Sequence, residues 1–335
     1  MRHLQPPPST LVDPATGAPR LGSFRGGLPP ADWGPLGGGP ASRALRHKRW
    51  LYVAVATDVV YVALAIVRLG YASNAFVYAY DAAAGRMLAR RSWIGPPFAA
   101  IVGDRGGEGC HASFRARGAS MTVHRAPGEA LYGVHVETSD LVLSASLDAG
   151  RAPPALGAVA SVGPERFDAT EKRALLACLG ELRVGDGRRV PLDGALAGYD
   201  FTSGLLPRRT RWRWGFALGR TADGAPLGLN LVEGFVGEAE CAAWVGSELV
   251  PLCEGRFTFD RERPSSAWRV RTCDGAVDLE MRPGAVHEEK RDLLVVASSF
   301  VQPCGAWTGR INLPGRAPVV VGRALGVTED QDVTW

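Results

Sequence analysis

The sequence predicts an all-β protein of two antiparallel β-barrel or curved-sheet domains behind a loose N-terminal arm. Three observations predict it. Short runs rich in Val, Ile and Tyr recur along the chain, and these residues favour a pleated, half-buried surface. Turn dipeptides such as Arg117-Gly118, Ser139-Asp140 and Asp274-Gly275 separate the runs at close spacing, which is the sandwich or barrel signature. A chain of 335 residues exceeds what one sheet-based core commonly serves, so two packed units are expected.

Residues 1–45 carry PPP, GGLPP and GGGP with little apolar periodicity. Pro and Gly at this density sustain neither a helix nor an inner strand. The segment reads as a poorly ordered or surface-wrapping arm, with folded structure from Arg46–Trp50 onward. Leu51–Val67 reads LYVAVATDVVYVALAIV, apolar and long enough to suggest a membrane helix. Asp58 at its middle is costly in lipid, and Thr57-Asp58 is turn chemistry. A hairpin of two buried strands is expected instead, with no stable membrane span. Ala75–Tyr80 and Arg86–Trp93 follow. His111–Ala116, Ala119–Arg125, Leu131–Glu137 and Leu141–Leu147 then form an antiparallel meander. Thr170–Leu182 carries a capping residue and apolar spacing that suit a helix, and it stays open between helix and strand. The second half offers Thr210–Leu218, Pro226–Glu233, Ala239–Val245, Arg256–Asp260, Trp268–Thr272, Ala276–Met281, Leu293–Gln302, Ala306–Leu313 and Pro318–Gly326. The first domain is placed at residues 46–195 and the second at 196–335.

Composition excludes more than it assigns. A net charge of +4 implies no particular partner. The six cysteines form no Cys-x-x-Cys pair, so zinc spacing is absent. Met1–Thr10 lacks the apolar core of a signal peptide, so a soluble, cytoplasmic protein with reduced thiols is expected. Neither a Walker phosphate loop nor a dinucleotide fingerprint occurs, and no cofactor is expected. A two-residue turn at Arg117-Gly118 would place His111 opposite His124. No third ligand is well placed, so no metal is expected. His287-Glu288-Glu289-Lys290-Arg291 lacks the second His of a zincin helix and reads as a charged loop.

Several motifs carry a family resemblance. Tyr199-Asp200-Phe201-Thr202-Ser203-Gly204 is followed by Arg211-Trp212-Arg213-Trp214, by Gly228-Leu229-Asn230-Leu231, and by Gln302-Pro303-Cys304-Gly305-Ala306-Trp307-Thr308-Gly309. Glu329 and Trp335 close the chain. In this order and spacing they resemble the domain of unknown function 2804 family, from about Lys48 onward. That family is more distantly similar to two-domain lipocalin-like proteins, including carotenoid hydratases and fungal cyclases of the Diels–Alder type. The resemblance implies two barrel-like domains with a ligand site in one barrel or between them. It implies no activity.

The residues themselves suggest candidates. Asp200, beside aromatics and before a Gly-rich bend, could sit at a barrel mouth as a general acid, or cap a turn. On a strand, Arg209, Arg211 and Arg213 share one face, while Trp212, Trp214 and Phe216 share the other. The aromatic face suits a core; the arginine face suits solvent or a pocket wall that binds an anionic group. Basic residues among aromatics also suit single-stranded nucleic acid, but no basic run supports it elsewhere, and none is expected. Glu233 suits an ion pair with an arginine of the preceding strand, or an acid–base site. The candidate catalytic residues are Asp200 and Glu233. The candidate ligand-binding residues are Tyr199, Arg211, Trp212, Arg213, Trp214, Asn230 and Trp307.

Three functions compete. The first is binding of an apolar or amphipathic small molecule in a lumen lined by Trp, Phe and Leu. The second is a cofactor-free hydratase, isomerase or cyclase using a buried carboxylic acid. The third is an interaction protein that presents the Arg/Trp strand as a contact surface.

Overall fold

The computed structural model describes residues 2–36, 39–185, 187–293 and 296–335. Its strands form two antiparallel sheets, one of fourteen strands between Gly22 and Leu205 and one of nine between Arg209 and Thr334. The first sheet curls until Ala100–Val102 packs back against Val60–Arg68, giving a nearly closed barrel. The second is a half-barrel. The chain crosses between sheets after Leu205. The boundary expected at 195/196 would detach the strand Ala195–Leu205. That strand pairs on both edges inside the first sheet, with His47–Ala56 and Arg166–Val184.

Alternation along each strand decides what is buried where. In His47–Ala56, Leu51, Val53 and Val55 point into the barrel, while Tyr52, Ala54 and Ala56 face the second sheet. Both faces are covered, which is why Leu51–Val67 is almost continuously apolar. The expected hairpin forms there. Thr57 Oγ1 accepts the N–H groups of Val59 and Val60 at the turn. Among the described residues no helix is long and apolar enough to cross a membrane. The barrel interior is filled by side chains such as Phe114, Met121, Tyr132, Leu143 and Leu182. It is a packed core rather than the lined lumen expected.

Thr170–Leu182 resolves as part of the strand Arg166–Val184. A β-bulge between Arg173 and Leu176 interrupts its register, with Leu175 at φ 66°. The extra residue reverses the alternation. Thr170 and Lys172 face the second sheet before the bulge, whereas Leu176, Cys178 and Leu182 face the barrel after it. In the meander, Ala116 pairs with Ala119 and His111 stands opposite His124, with both histidines exposed.

The second sheet runs longer strands than expected: Val277–Leu293, Val296–Ile311 and Val319–Thr334. The expected strand Leu293–Gln302 begins across residues 294–295, which lie outside the described residues. Its described part continues unbroken to Ile311. His287–Arg291 is not a loop but strand paired with Ser298–Gln302. His287 is buried there between Phe76, Tyr78 and Phe300, so apolar cover outweighs the local charge.

The arm takes the surface-wrapping alternative. Gly22–Arg25 adds as a strand to Leu156–Gly163. Leu11, Val12, Phe24, Ala31 and Trp33 bury against Val159, Ala169 and Leu205. The Leu28 N–H donates to Glu171 Oε2 at 2.7 Å. Phe24→Ala should therefore lower the unfolding free energy by about 3 kcal/mol, the usual scale for emptying a buried phenylalanine site. Urea denaturation checks this. A loss within about 0.5 kcal/mol, the surface scale, would mean the arm is dispensable.

Candidate functional site

The two sheets pack face to face but do not close completely. A cavity of about 380 Å³ remains between them. Its aromatic wall is built by alternation on four strands. Trp50 and Tyr52 come from His47–Ala56, Phe76 from Ser73–Asp81, Trp212 and Trp214 from Arg209–Thr221, and Phe300 from Val296–Ile311. Trp50 stacks on Trp212 with ring centres 5.9 Å apart. Tyr52 meets Trp214 edge-on at 5.1 Å, and Phe76 leans on Phe300 at 5.7 Å. Partly exposed Asn74, Ile94 and Arg291 mark the mouth, whereas the polar floor is buried.

That floor holds an ionic group. Lys172 Nζ contacts Asp200 Oδ1 and lies 2.9 Å from Glu240 Oε2. Lys172 and Asp200 are cross-strand partners in the first sheet. Glu240 ends the short 3-10 turn Gly237–Glu240 of the second unit. Burial pulls the Lys172 ammonium down, and the charges of Asp200 and Glu240 more than reverse this, so it stays protonated. Burial raises the Glu240 carboxyl against the pull of Lys172. Asp168, four residues before Lys172 and fully buried, is raised well above the carboxylate range by burial and then by Glu240.

Glu329 completes the floor from the strand Val319–Thr334 of the second sheet. Trp212 Nε1 and Gln302 Nε2 each donate to its carboxyl at 2.7 Å. Tyr78 in turn donates to Gln302 Oε1 at 2.7 Å. Burial pushes the Glu329 carboxyl up to about 7; the Gln302 and Trp212 donors oppose the rise and the Asp200 charge adds to it. The cavity thus pairs an apolar wall with a carboxyl that titrates at neutral pH. Such a group can hold a proton or a negative charge with little change in conditions.

A family model covers residues 8–335 of this chain, the whole fold and every residue of the cavity. The chain belongs to the DUF2804 family, a domain of unknown function. No curated protein matches this DUF2804 chain. Among solved structures it is similar to a protein assigned as AttH from Nitrosomonas europaea. The two share 16% identity and a TM-score of 0.52, over 86% of this chain and 92% of that one. It is also similar to CghA at 12% identity and a TM-score of 0.52, over 94% and 98% of the two chains. Kievitone hydratase from Nectria haematococca overlaps less, at 12% identity and a TM-score of 0.47 over 86% and 88%. The first two likenesses show a shared two-unit, lipocalin-like fold.

Of the candidates named from sequence, the DUF2804 structure brings Asp200, Trp212 and Trp214 to the cavity. Asp200 lies inside a strand, not at a bend or barrel mouth. Asn230 stands behind the wall. It accepts the Trp214 Nε1–H at 2.8 Å and donates to the Glu240 carbonyl at 2.7 Å. Tyr199, next to Asp200 in sequence, points the opposite way into the barrel core, where its hydroxyl donates to Glu171. Arg211 and Arg213 occupy the outer face, paired with Asp332 at 2.8 Å and Glu233 at 2.9 Å. Glu233 is thereby an ion-pair partner that also accepts the Phe257 N–H, away from the cavity. Trp307 is core, packed on Gly215. Among the described residues no group of three acidic, His or Cys side chains is arranged for a metal.

Sequence reasoning passed over Lys172, Glu240, Gln302 and Glu329 as site residues. One signal was available. Asp330 and Asp332 alternate with Glu329 and Gln331, as Arg211 and Arg213 alternate with Trp212 and Trp214. Pairing the outward charges places Glu329 beside the inward tryptophans.

The Glu329 environment has a measurable consequence. The folded carboxyl keeps its proton to about pH 7, against an ordinary value of 4.5. Between these limits the folded state binds more protons. Its contribution is therefore full below about pH 4.5 and lost as pH rises through 7. The loss is of order 3 kcal/mol by linkage. Glu329→Gln should flatten that part of the stability profile between pH 5 and 8. Parallel profiles for both proteins in urea titrations would contradict the assignment.

Proposed function

We propose that this protein binds an apolar or amphipathic small molecule in the cavity between its sheets. One observation carries the reading. The cavity is of ligand size, aromatic along its walls, and lined by the buried polar side chains Lys172, Asp200, Glu240, Gln302 and Glu329. Small-molecule sites have this composition, because apolar walls supply affinity and a few convergent polar groups fix orientation. The interaction-protein reading lacks such support. The Arg/Trp strand turns its tryptophans inward, and its arginines are neutralised by Asp330, Asp332 and Glu233.

N-phenyl-1-naphthylamine, a neutral dye that brightens in apolar surroundings, tests the proposal. It should bind with saturable, stoichiometric fluorescence. Ala65→Phe places a ring in the cavity and should abolish the signal, while overpacking costs about 1–3 kcal/mol of stability. Unsaturable dye binding, or binding unchanged in the variant, counts against the site.

Glu329 favours a second reading, in which the cavity is catalytic. A carboxylic acid that keeps its proton at neutral pH can protonate an alkene or carbonyl, and aromatic faces can steady the positive charge that develops. Turnover of such a substrate would fall as pH rises through 7. Glu329→Gln would lower kcat at least 100-fold with dye binding retained, on the usual scale of acid–base catalysis. Turnover that survives in the variant excludes Glu329 as the acid.

A further inference from the structure

We propose that the cavity selects an organic cation: a hydrophobic amine or quaternary ammonium that enters head first, its positive end against Glu329, Asp200 and Glu240 and its apolar body between Trp50, Trp212, Phe76 and Phe300. This rests on the binding function proposed above and names the ligand class.

The charge count of the floor is the first ground. Three carboxyl groups line it, and Lys172 is the one cation among them. Lys172 is already engaged by Asp200 and Glu240. Glu329 has neutral partners in Trp212 and Gln302 and no cation within ion-pair distance among the described residues. A positive head would supply that missing counter-charge.

Donor capacity is the second ground. A carboxylate or phosphate head needs N–H groups to spare. At the floor, the single Trp212 N–H and one of the two Gln302 amide N–H groups are given to Glu329, one Asn230 amide N–H is given to the Glu240 carbonyl, and two of the three Lys172 N–H groups face Asp200 and Glu240. At the mouth, Arg291 is held by Glu289 at 2.8 Å. The spare N–H groups of Gln302 and Lys172 belong to side chains already bound to carboxyls, so an anionic head there meets like charge, whereas a head that donates hydrogen bonds or carries positive charge does not.

The walls are the third. Aromatic faces carry negative quadrupole density and attract a desolvated cation within about 6 Å of the ring centre. Trp212 donates to Glu329 and Trp214 to Asn230 beside Glu240, so both rings reach the floor, with Trp50 stacked on the first and Tyr52 edge-on to the second. A head seated at Glu329 is therefore flanked by rings and carboxyls together.

This role and the proton-donor role need opposite forms of one group. Cation binding uses the ionised carboxyl, so affinity rises with pH. The charged and titratable groups facing Glu329 are Lys172, Asp200 and Glu240, with Tyr78 behind Gln302. On the strand beside Gln302, His287 stands opposite it and packs on Phe76 and Phe300, with Glu289 and Arg291 following toward the mouth. Lys172 stays charged and Tyr78 neutral through this range, since burial and neighbouring groups push Tyr78 far up. The difference between the native and Glu329→Gln profiles from pH 6 to 8 therefore reports Glu329, because every other facing group is common to both proteins.

The test displaces bound N-phenyl-1-naphthylamine with benzyltrimethylammonium and with neopentylbenzene, its uncharged carbon isostere. At pH 8 the cation should displace the dye at concentrations at least tenfold lower. Its affinity should strengthen about tenfold from pH 6 to pH 8, following ionisation of a group near 7. Glu329→Gln should remove both effects and leave neopentylbenzene unchanged, with dye binding certifying that the variant's cavity is intact. Equal displacement by both compounds in the native protein overturns the cation proposal and leaves the binding function standing. A preference unaltered by pH and by Glu329→Gln overturns it as well. Failure of the native protein to bind the dye or either compound overturns both.

Discussion

The ammonium of Lys172, buried between Asp200 and Glu240, is the constraint on which the arrangement of the two sheets depends. Its partners come from both units: Asp200 from the neighbouring strand of the barrel and Glu240 from the turn Gly237–Glu240. Three charges taken from water cost more than an apolar filling of the same volume would, so this group is a poor source of stability. Its effect is on register. A one-residue slip of Ala195–Leu205 would drive Asp200 into the barrel core and leave Lys172 with Glu240 alone. The adjacent Glu171 points the other way and holds Leu28 of the arm and Tyr199 of the core. Two consecutive residues of one strand thus tie the arm to the barrel and the barrel to the second sheet.

Much of the fold is legible in the sequence because it depends on alternation and turns. The hairpin around Thr57-Asp58 and the opposition of His111 and His124 follow from counting residues outward from a turn. The strand Arg166–Val184 was ambiguous for a physical reason. Its bulge at Arg173–Leu176 shifts the apolar positions by one and produces a spacing that imitates a helical stripe. His287–Arg291 was misread because five polar residues describe a loop locally. The cover over His287 comes from Phe76 and Tyr78, about two hundred residues away, and sequence windows do not see it.

The site was less legible than the fold. Tyr199-Asp200 looks like one motif, yet neighbours on a strand serve opposite faces, and only Asp200 reaches the cavity. Glu329 was visible only as part of a closing motif. Its partners Trp212 and Gln302 lie on two other strands and no local pattern links them. Burial, which produces its unusual titration, is a property of the assembled sheets rather than of any segment.

The location of the cavity follows from side-chain size along the interface. At its closed end the barrel offers Ala54, Ala56, Ala63 and Gly198, and the second sheet fills these with Phe216 and Leu218. A Cβ on Gly198 would sit 2.6 Å from the Phe216 ring, and one on Gly228 would sit 2.5 Å from Ala174 Cβ, so the sheets are in van der Waals contact there. Toward the other end both sheets carry large rings. Trp50 and Trp212 meet each other instead of the opposing backbone. Large residues facing large residues hold two sheets apart, and Ala65 adds no bulk behind them. The same tryptophans that keep the space open would then contact whatever fills it. Structure and recognition are therefore one set of side chains here, and a substitution such as Trp212→Ala would disturb the wall, the Glu329 hydrogen bond and the spacing of the sheets at once.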